Sequence, residues 1–158
     1  MNLVLYSSKS GNTKKLADTV FAALPDPKEI LPITEMPASL ADYNLIAFGF
    51  WLQAGQPDAA SQSALARIKE KDVFLFATHG AAQNSAHAVK AMESAQEMVP
   101  SCRVIGTYSC QGEVNPKVIA TAESKPQRPP WLDDAPDAVG HPNTGDLEEL
   151  KAIIAEKL

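Results

Sequence analysis

Cysteine is almost missing from this chain: 158 residues carry two, Cys102 and Cys110, and they form neither a CxxC nor part of a histidine cluster. That excludes a disulfide-built scaffold and a cysteine-rich metal centre, and leaves two reduced thiols as the simplest reading. A surplus of positive charge is missing as well. The formal net charge is −5, so no basic face for a nucleic acid is expected. No apolar run approaches the ~20 residues that a membrane helix needs. The first residues show no basic start and no small-residue cleavage site, which reads as no secretory signal and a cytoplasmic location. Two phosphate-binding spellings are also absent, GxxxxGK[ST] for nucleoside triphosphates and GxGxxG for dinucleotides. Nor does an acidic pair close the first apolar run, as a phospho-accepting receiver domain would require.

What is present is a regular alternation. Short apolar runs recur at Leu3 to Tyr6, Ile30 to Ile33, Leu45 to Phe50, Val73 to Ala77 and Val104 to Tyr108. Several are too continuous to be half-exposed strands, so buried parallel strands are expected. Between them lie helical stripes: Leu16, Val20 and Leu24; Ala60, Ala64, Leu65 and Ile68; Val89, Met92, Ala95 and Val99. Asp58 and Ser85 are placed to cap the second and third helices, and Asn143 or Thr144 a last one carrying Leu147, Leu150, Ile154 and Leu158. Strand and helix in alternation predict an α/β domain over residues 1–158, a sheet with helices on both faces. Pro25, Pro27, Pro32 and Pro37 place the second strand at an edge, where a missing N–H does least harm. From Ser124 to Pro142 the chain has one compact apolar pair, Trp131-Leu132, and reads as an irregular, Pro-rich surface excursion.

The most informative stretch is the turn Ser7-Ser8-Lys9-Ser10-Gly11-Asn12-Thr13, between the first strand and the first helix. A helix N-terminus presents unpaired N–H groups and the positive end of a dipole, which suits an anion without any cationic side chain. Ser8, Ser10 and Thr13 would add hydroxyl donors, Asn12 an amide, and Gly11 a close backbone approach. The plainer alternative is that Ser and Asn simply cap the helix.

The spelling Ser8-Lys9-Ser10-Gly11-Asn12-Thr13 resembles the [ST]-x-[ST]-G-x-T phosphate loop of flavodoxins, in the place where that family keeps it. "FGFWLQAGQPD", "FATHGAAQNSAH", "YSCQGEVNPKV" and "GHPNTGDLEEL" are similar to flavodoxin-like segments too, so the resemblance spans nearly the whole chain. It implies a flavodoxin-like three-layer sandwich, a five-stranded parallel sheet in the order 2-1-3-4-5. It also implies noncovalent FMN, held by the turn and by two ring loops. The first would be Phe50, Trp51, Leu52 and Gly55, with Trp51 against the ring and the Gly55 carbonyl meeting a ring N–H. As a plain residue, Trp51 would sit in the core or at its rim. The second would be Thr78, His79 and Gly80, offering backbone N–H groups, with His79 otherwise a solvated loop residue. Here the chain departs from the family, because no Phe, Tyr or Trp stands between Phe76 and Tyr108 to cover the outer face of the ring. Cys110 and Gln111 would lie beside the ring, Cys110 alternatively as a small buried apolar residue.

The resemblance implies a protein that passes electrons between a reductase and an acceptor enzyme, without catalytic residues of its own and without a metal. Two other classes stay open: a flavin-dependent reductase acting on a quinone, tetrapyrrole or other conjugated molecule through an uncovered ring face, and a binding domain without flavin. Asp133, Asp134, Asp137, Glu148 and Glu149 read either as an acidic docking surface or as solvated faces.

Overall fold

The computed structural model of the chain describes residues 1–158. Five strands form a parallel sheet: β1 (Asn2–Tyr6), β2 (Lys28–Pro32), β3 (Leu45–Gln53), β5 (Asp72–His79) and β6 (Arg103–Gln111). Their order is β2-β1-β3-β5-β6, and a sixth strand, β4 (Gln56–Pro57), folds back antiparallel on the end of β3. Leaving β4 aside, this is the expected order. β2 sits at the edge and ends on Pro32, as its prolines require.

Successive side chains on a strand point to opposite faces, and the two faces bury separate cores. On one face Leu3, Leu5, Ile46, Phe48, Phe50 and Leu75 pack with residues of α2 (Ala59–Leu65) and α3 (Ala86–Glu97). On the other, Val4, Ala47, Phe74 and Phe76 pack with Leu16 and Val20 of α1 (Asn12–Ala23) and with Leu150 and Ile154 of α5 (Thr144–Lys157). The caps are those the sequence marks. Asp58 accepts from Ser61 N (3.1 Å) and Ser85 from Ala88 N (3.3 Å), and Asn143 closes a capping box with Asp146.

Three expectations change. First, β3 and β5 outrun their apolar cores, so Trp51, Thr78 and His79 stand on strand ends rather than in loops, and Cys110 and Gln111 end β6 as expected. The ladder pairs Trp51 with Thr78, Thr78 with Cys110 and His79 with Gln111. Pairing is made by backbone groups, so polar side chains such as Thr78 and Gln111 do not end it. Second, a further helix, α4 (Pro116–Glu123), follows β6. It buries Ala122 alone, so it carries no apolar stripe to read, although Asn115 caps it and Pro116 opens it. Third, the excursion after α4 is anchored. Its 3₁₀ segment Leu132–Ala138 buries Leu132, Ala135 and Ala138.

Gly49 and Phe76 face each other across β3 and β5, and a Cβ on Gly49 would overlap the Phe76 ring. The bare backbone there makes room for the large side chain beneath α1 and α5. Gly49→Ala should therefore cost about 1–3 kcal/mol, the usual cost of overpacking a core. A lower urea midpoint, partly restored when Phe76 is also changed to Leu, is the expected outcome; an unchanged midpoint would contradict this packing.

Candidate functional site

Four strands deliver their carboxyl ends to the first turn of α1. The amides of Lys9, Ser10, Asn12 and Thr13 donate to no group in the chain. The side chains around them are engaged in holding them open. Ser8 Oγ accepts from the amides of Gly11 (3.2 Å) and Lys14 (3.3 Å). Ser7 Oγ donates to Asp58 Oδ1 (3.1 Å), which ties the turn to the cap of α2. Thr13 Oγ1 is buried and lies 2.9 Å from Thr78 Oγ1, joining α1 to β5. Asn12 Nδ2 donates to the Glu113 carbonyl (3.0 Å), beyond β6. Of the hydroxyls expected to face an anion, the one on Ser10 is exposed, and the unpaired donors of the turn are backbone amides. Gly11 serves the turn through its φ of 91°, and a Cβ there would meet nothing within 4 Å, so a close approach within the chain is not its role.

Opposite the turn, β3 and β4 are joined by Ala54 and Gly55, with φ of 53° and 76°. Two successive positive φ values make the two-residue hairpin that matches strand twist, and they hold Ala54 in a conformation that costs a non-glycine residue energy. His87 of α3 supports this tip: a Cβ on Gly55 would lie 3.2 Å from its Cε1. Lys9 Nζ stands 5.6 Å from the centre of the Trp51 ring, which draws the turn toward the hairpin.

Between these elements opens a cleft of about 550 Å³, within the range of cofactor sites. Of the residues expected at the site, Lys9, Ser10, Asn12, Thr13, Trp51, Leu52, Gly55, Thr78, His79 and Gly80 line it. Ser8 and Gly11, within the turn, do not line it. Phe50 is fully buried in the core on the α2 and α3 side, because alternation along β3 turns it away. Cys110 is fully buried beneath α1 and α5, where burial pushes its thiol up to about 12. Gln111 points to the excursion and donates to the Asp134 carbonyl (3.5 Å).

A family model described as a flavodoxin domain matches residues 3–155. The chain belongs to the flavodoxin family. The flavodoxin-like domain-containing protein BilS of Clostridioides difficile is 31% identical over 117 residues, which span 72% of this chain and 66% of that protein. Among solved structures, a Lactobacillus acidophilus flavoprotein in complex with FMN aligns at a TM-score of 0.57 and 20% identity, covering 68% of this chain and 91% of that one. An azoreductase from Bacillus anthracis aligns at a TM-score of 0.62 and 12% identity over 98% of both chains. At these identities the structures share the fold.

The wall above β5 is built from a distant part of the chain. The excursion carries Trp131 over Gly80, where a Cβ would lie 3.3 Å from the indole Cε3 and 2.8 Å from Val114 Cγ2. The segment is pinned there: Asp134 Oδ2 accepts from Ala82 N (2.9 Å), and Glu113 N donates to the His141 carbonyl (2.8 Å). The stretch between Phe76 and Tyr108 has no aromatic, and the one that lines this side of the cleft comes from a distant part of the chain. Trp131, Val114, Asn115, Val118, Lys125 and His87 line the cleft without having been expected there. The signals for them were weak, a lone Trp-Leu pair among prolines and an Asn-Pro helix start.

His79 is buried, not solvated. Its Nδ1 lies 2.9 Å from the Ala81 carbonyl, which can only accept, so Nδ1 carries the proton and Nε2 accepts from the Ser109 hydroxyl (3.3 Å). Burial holds its pKa below the ordinary 6.5 and keeps the ring neutral beside the cleft. The unfolded chain takes up this proton at the ordinary value, so the contribution of His79 to stability is full above pH 6.5 and declines as the pH falls toward the lowered value. His79→Asn retains a donor for Ala81. Its urea midpoint should fall less steeply than that of the unaltered protein between about pH 6.5 and 5; parallel curves would contradict a neutral, buried histidine.

Proposed function

We propose that this protein binds FMN noncovalently in the cleft and carries electrons in the cytoplasm between a reductase and an acceptor protein. The observation that carries this reading is the set of unpaired amides at Lys9, Ser10, Asn12 and Thr13, aimed from the end of α1 beside an aromatic-lined cleft. These donors fit a phosphate monoester. The charge is met by N–H groups and the helix dipole, which need no cation and leave the turn rigid. Trp51 and Trp131 supply apolar walls for a flat ring, and Thr78 and Gly80 the floor between them. Bound there, FMN supplies the redox chemistry; the protein supplies binding, orientation and exclusion of water.

The carrier reading is supported over a reductase by two titratable groups of the cleft, His79 and Glu113, being engaged within the chain. His79 is neutral, with both ring nitrogens engaged. Glu113 accepts from Gly140 N (3.2 Å). Trp131, lining the cleft over Gly80, would cover one face of a ring bound there. The other titratable side chains lining the cleft are Lys9, His87 and Lys125.

Adding FMN to the purified protein should give a one-to-one complex with quenched flavin and tryptophan fluorescence. Stepwise reduction should then add two electrons at separate potentials, and the isolated protein should not oxidise NADPH. Trp51→Ala should weaken FMN binding about tenfold, the worth of one aromatic contact. Failure to bind FMN would overturn the cofactor; NADPH-driven turnover of a quinone by the isolated protein would replace the carrier with a reductase.

A further inference from the structure

The protein is acidic, but the mouth of its cleft is not. The chain carries a formal charge of −5, whereas the charged side chains lining the cleft and the shallow hollow beside it are Lys9, Lys117, Lys125 and Glu113. The one carboxylate among them is turned back onto the excursion by its bond from Gly140 N. None of the three lysines is paired with a carboxylate. Between Lys117 and Lys125 runs the exposed side of α4, where Val118 is 45% accessible and leads into the hollow against Trp131. The carboxylates that read as an acidic docking surface are largely engaged elsewhere. Asp133 pairs with Arg128 (2.6 Å), Asp134 accepts from Ala82 N (2.9 Å), Glu148 pairs with Lys151 (2.8 Å), and Glu149 accepts from the Tyr108 hydroxyl (3.2 Å).

We infer that the mouth of the cleft, Lys9, Lys117 and Lys125 around Val118, is a positively charged docking face for an acidic redox protein. The inference rests on reading the cleft as the cofactor site, because a redox partner has to approach the cofactor. Apolar contact at Val118 and Trp131 provides the centre of such a face, and the unpaired lysines its rim. A local positive patch on a negative protein is an electric dipole, and it turns the mouth toward an acidic partner before contact, raising the rate of productive encounter. A basic partner is drawn instead to the remaining surface, away from the cleft.

The test maps charge on isotope-labelled protein, with and without FMN. Hexacyanochromate(III), an anionic paramagnetic complex, should broaden amide signals around Lys9, Lys117 and Lys125 first. The double variant Lys117→Glu, Lys125→Glu should lose that broadening around α4 while keeping a folded spectrum. An acidic ferredoxin should shift the same signals, with affinity falling about tenfold or more as salt rises to about 0.5 M, and cytochrome c, a basic protein, should not. Broadening centred elsewhere overturns the inference, as does a preference of the mouth for cytochrome c. A mouth that takes the chromium complex and neither protein is a small-anion site, which overturns it too. Failure of FMN to bind in the same samples would defeat the cofactor reading separately, since the charge map is read without it.

Discussion

Everything at the carboxyl edge of this sheet depends on keeping the first amides of α1 without partners. Polar groups inside a fold are normally matched, and no buried side-chain nitrogen or oxygen is left without a partner here. The amides at Lys9, Ser10, Asn12 and Thr13 differ in being a run of open donors at the edge of the cleft. They stay open because the side chains that could satisfy them are bound to something else: Ser7 to Asp58, Thr13 to Thr78, Asn12 to the Glu113 carbonyl. Each of those bonds also ties the turn to a neighbouring element, so the open amides and the walls of the cleft are held by the same contacts.

The sheet behind the turn is the frame on which the site is built. β1 and β3 are nearly continuous buried strands, and Phe74 and Phe76 fill the space beneath α1 and α5 where Ala47 and Gly49 leave room. Parallel strands end in register at one edge, which brings residues distant in sequence to a common rim. The excursion completes that rim. Leu132, Ala135 and Ala138 bury its inner side, and Asp134 clips it to Ala82, which sets Trp131 above Gly80.

The fold was legible because its signals are local and repeated. Leu3 to Tyr6 and Val73 to Ala77 are strand cores whatever surrounds them, and Asp58, Ser85 and Asn143 mark helix starts by capping chemistry alone. The turn was legible as a helix start with open amides, but the role of each side chain was not. Whether Thr13 faces a ligand or Thr78 depends on how α1 packs against β5, a long-range relation that no local spelling carries. Phe50 and Cys110 were placed at the site through their sequence neighbours, and strand alternation turned both into the core. Trp131 was hidden for the opposite reason. Its segment has no periodicity, and its position comes from Asp134 and the buried 3₁₀ turn.

The central claim is that backbone amides of the first turn bind the phosphate of FMN. The most direct measurement compares the affinity of the protein for FMN with its affinity for riboflavin, which has the same ring and no phosphate. Two or three charge-assisted hydrogen bonds and the helix dipole together predict that riboflavin binds at least about a hundredfold more weakly, a difference of about 3 kcal/mol or more. Equal affinity for the two would contradict the claim and leave the turn as a helix start whose open amides meet only water.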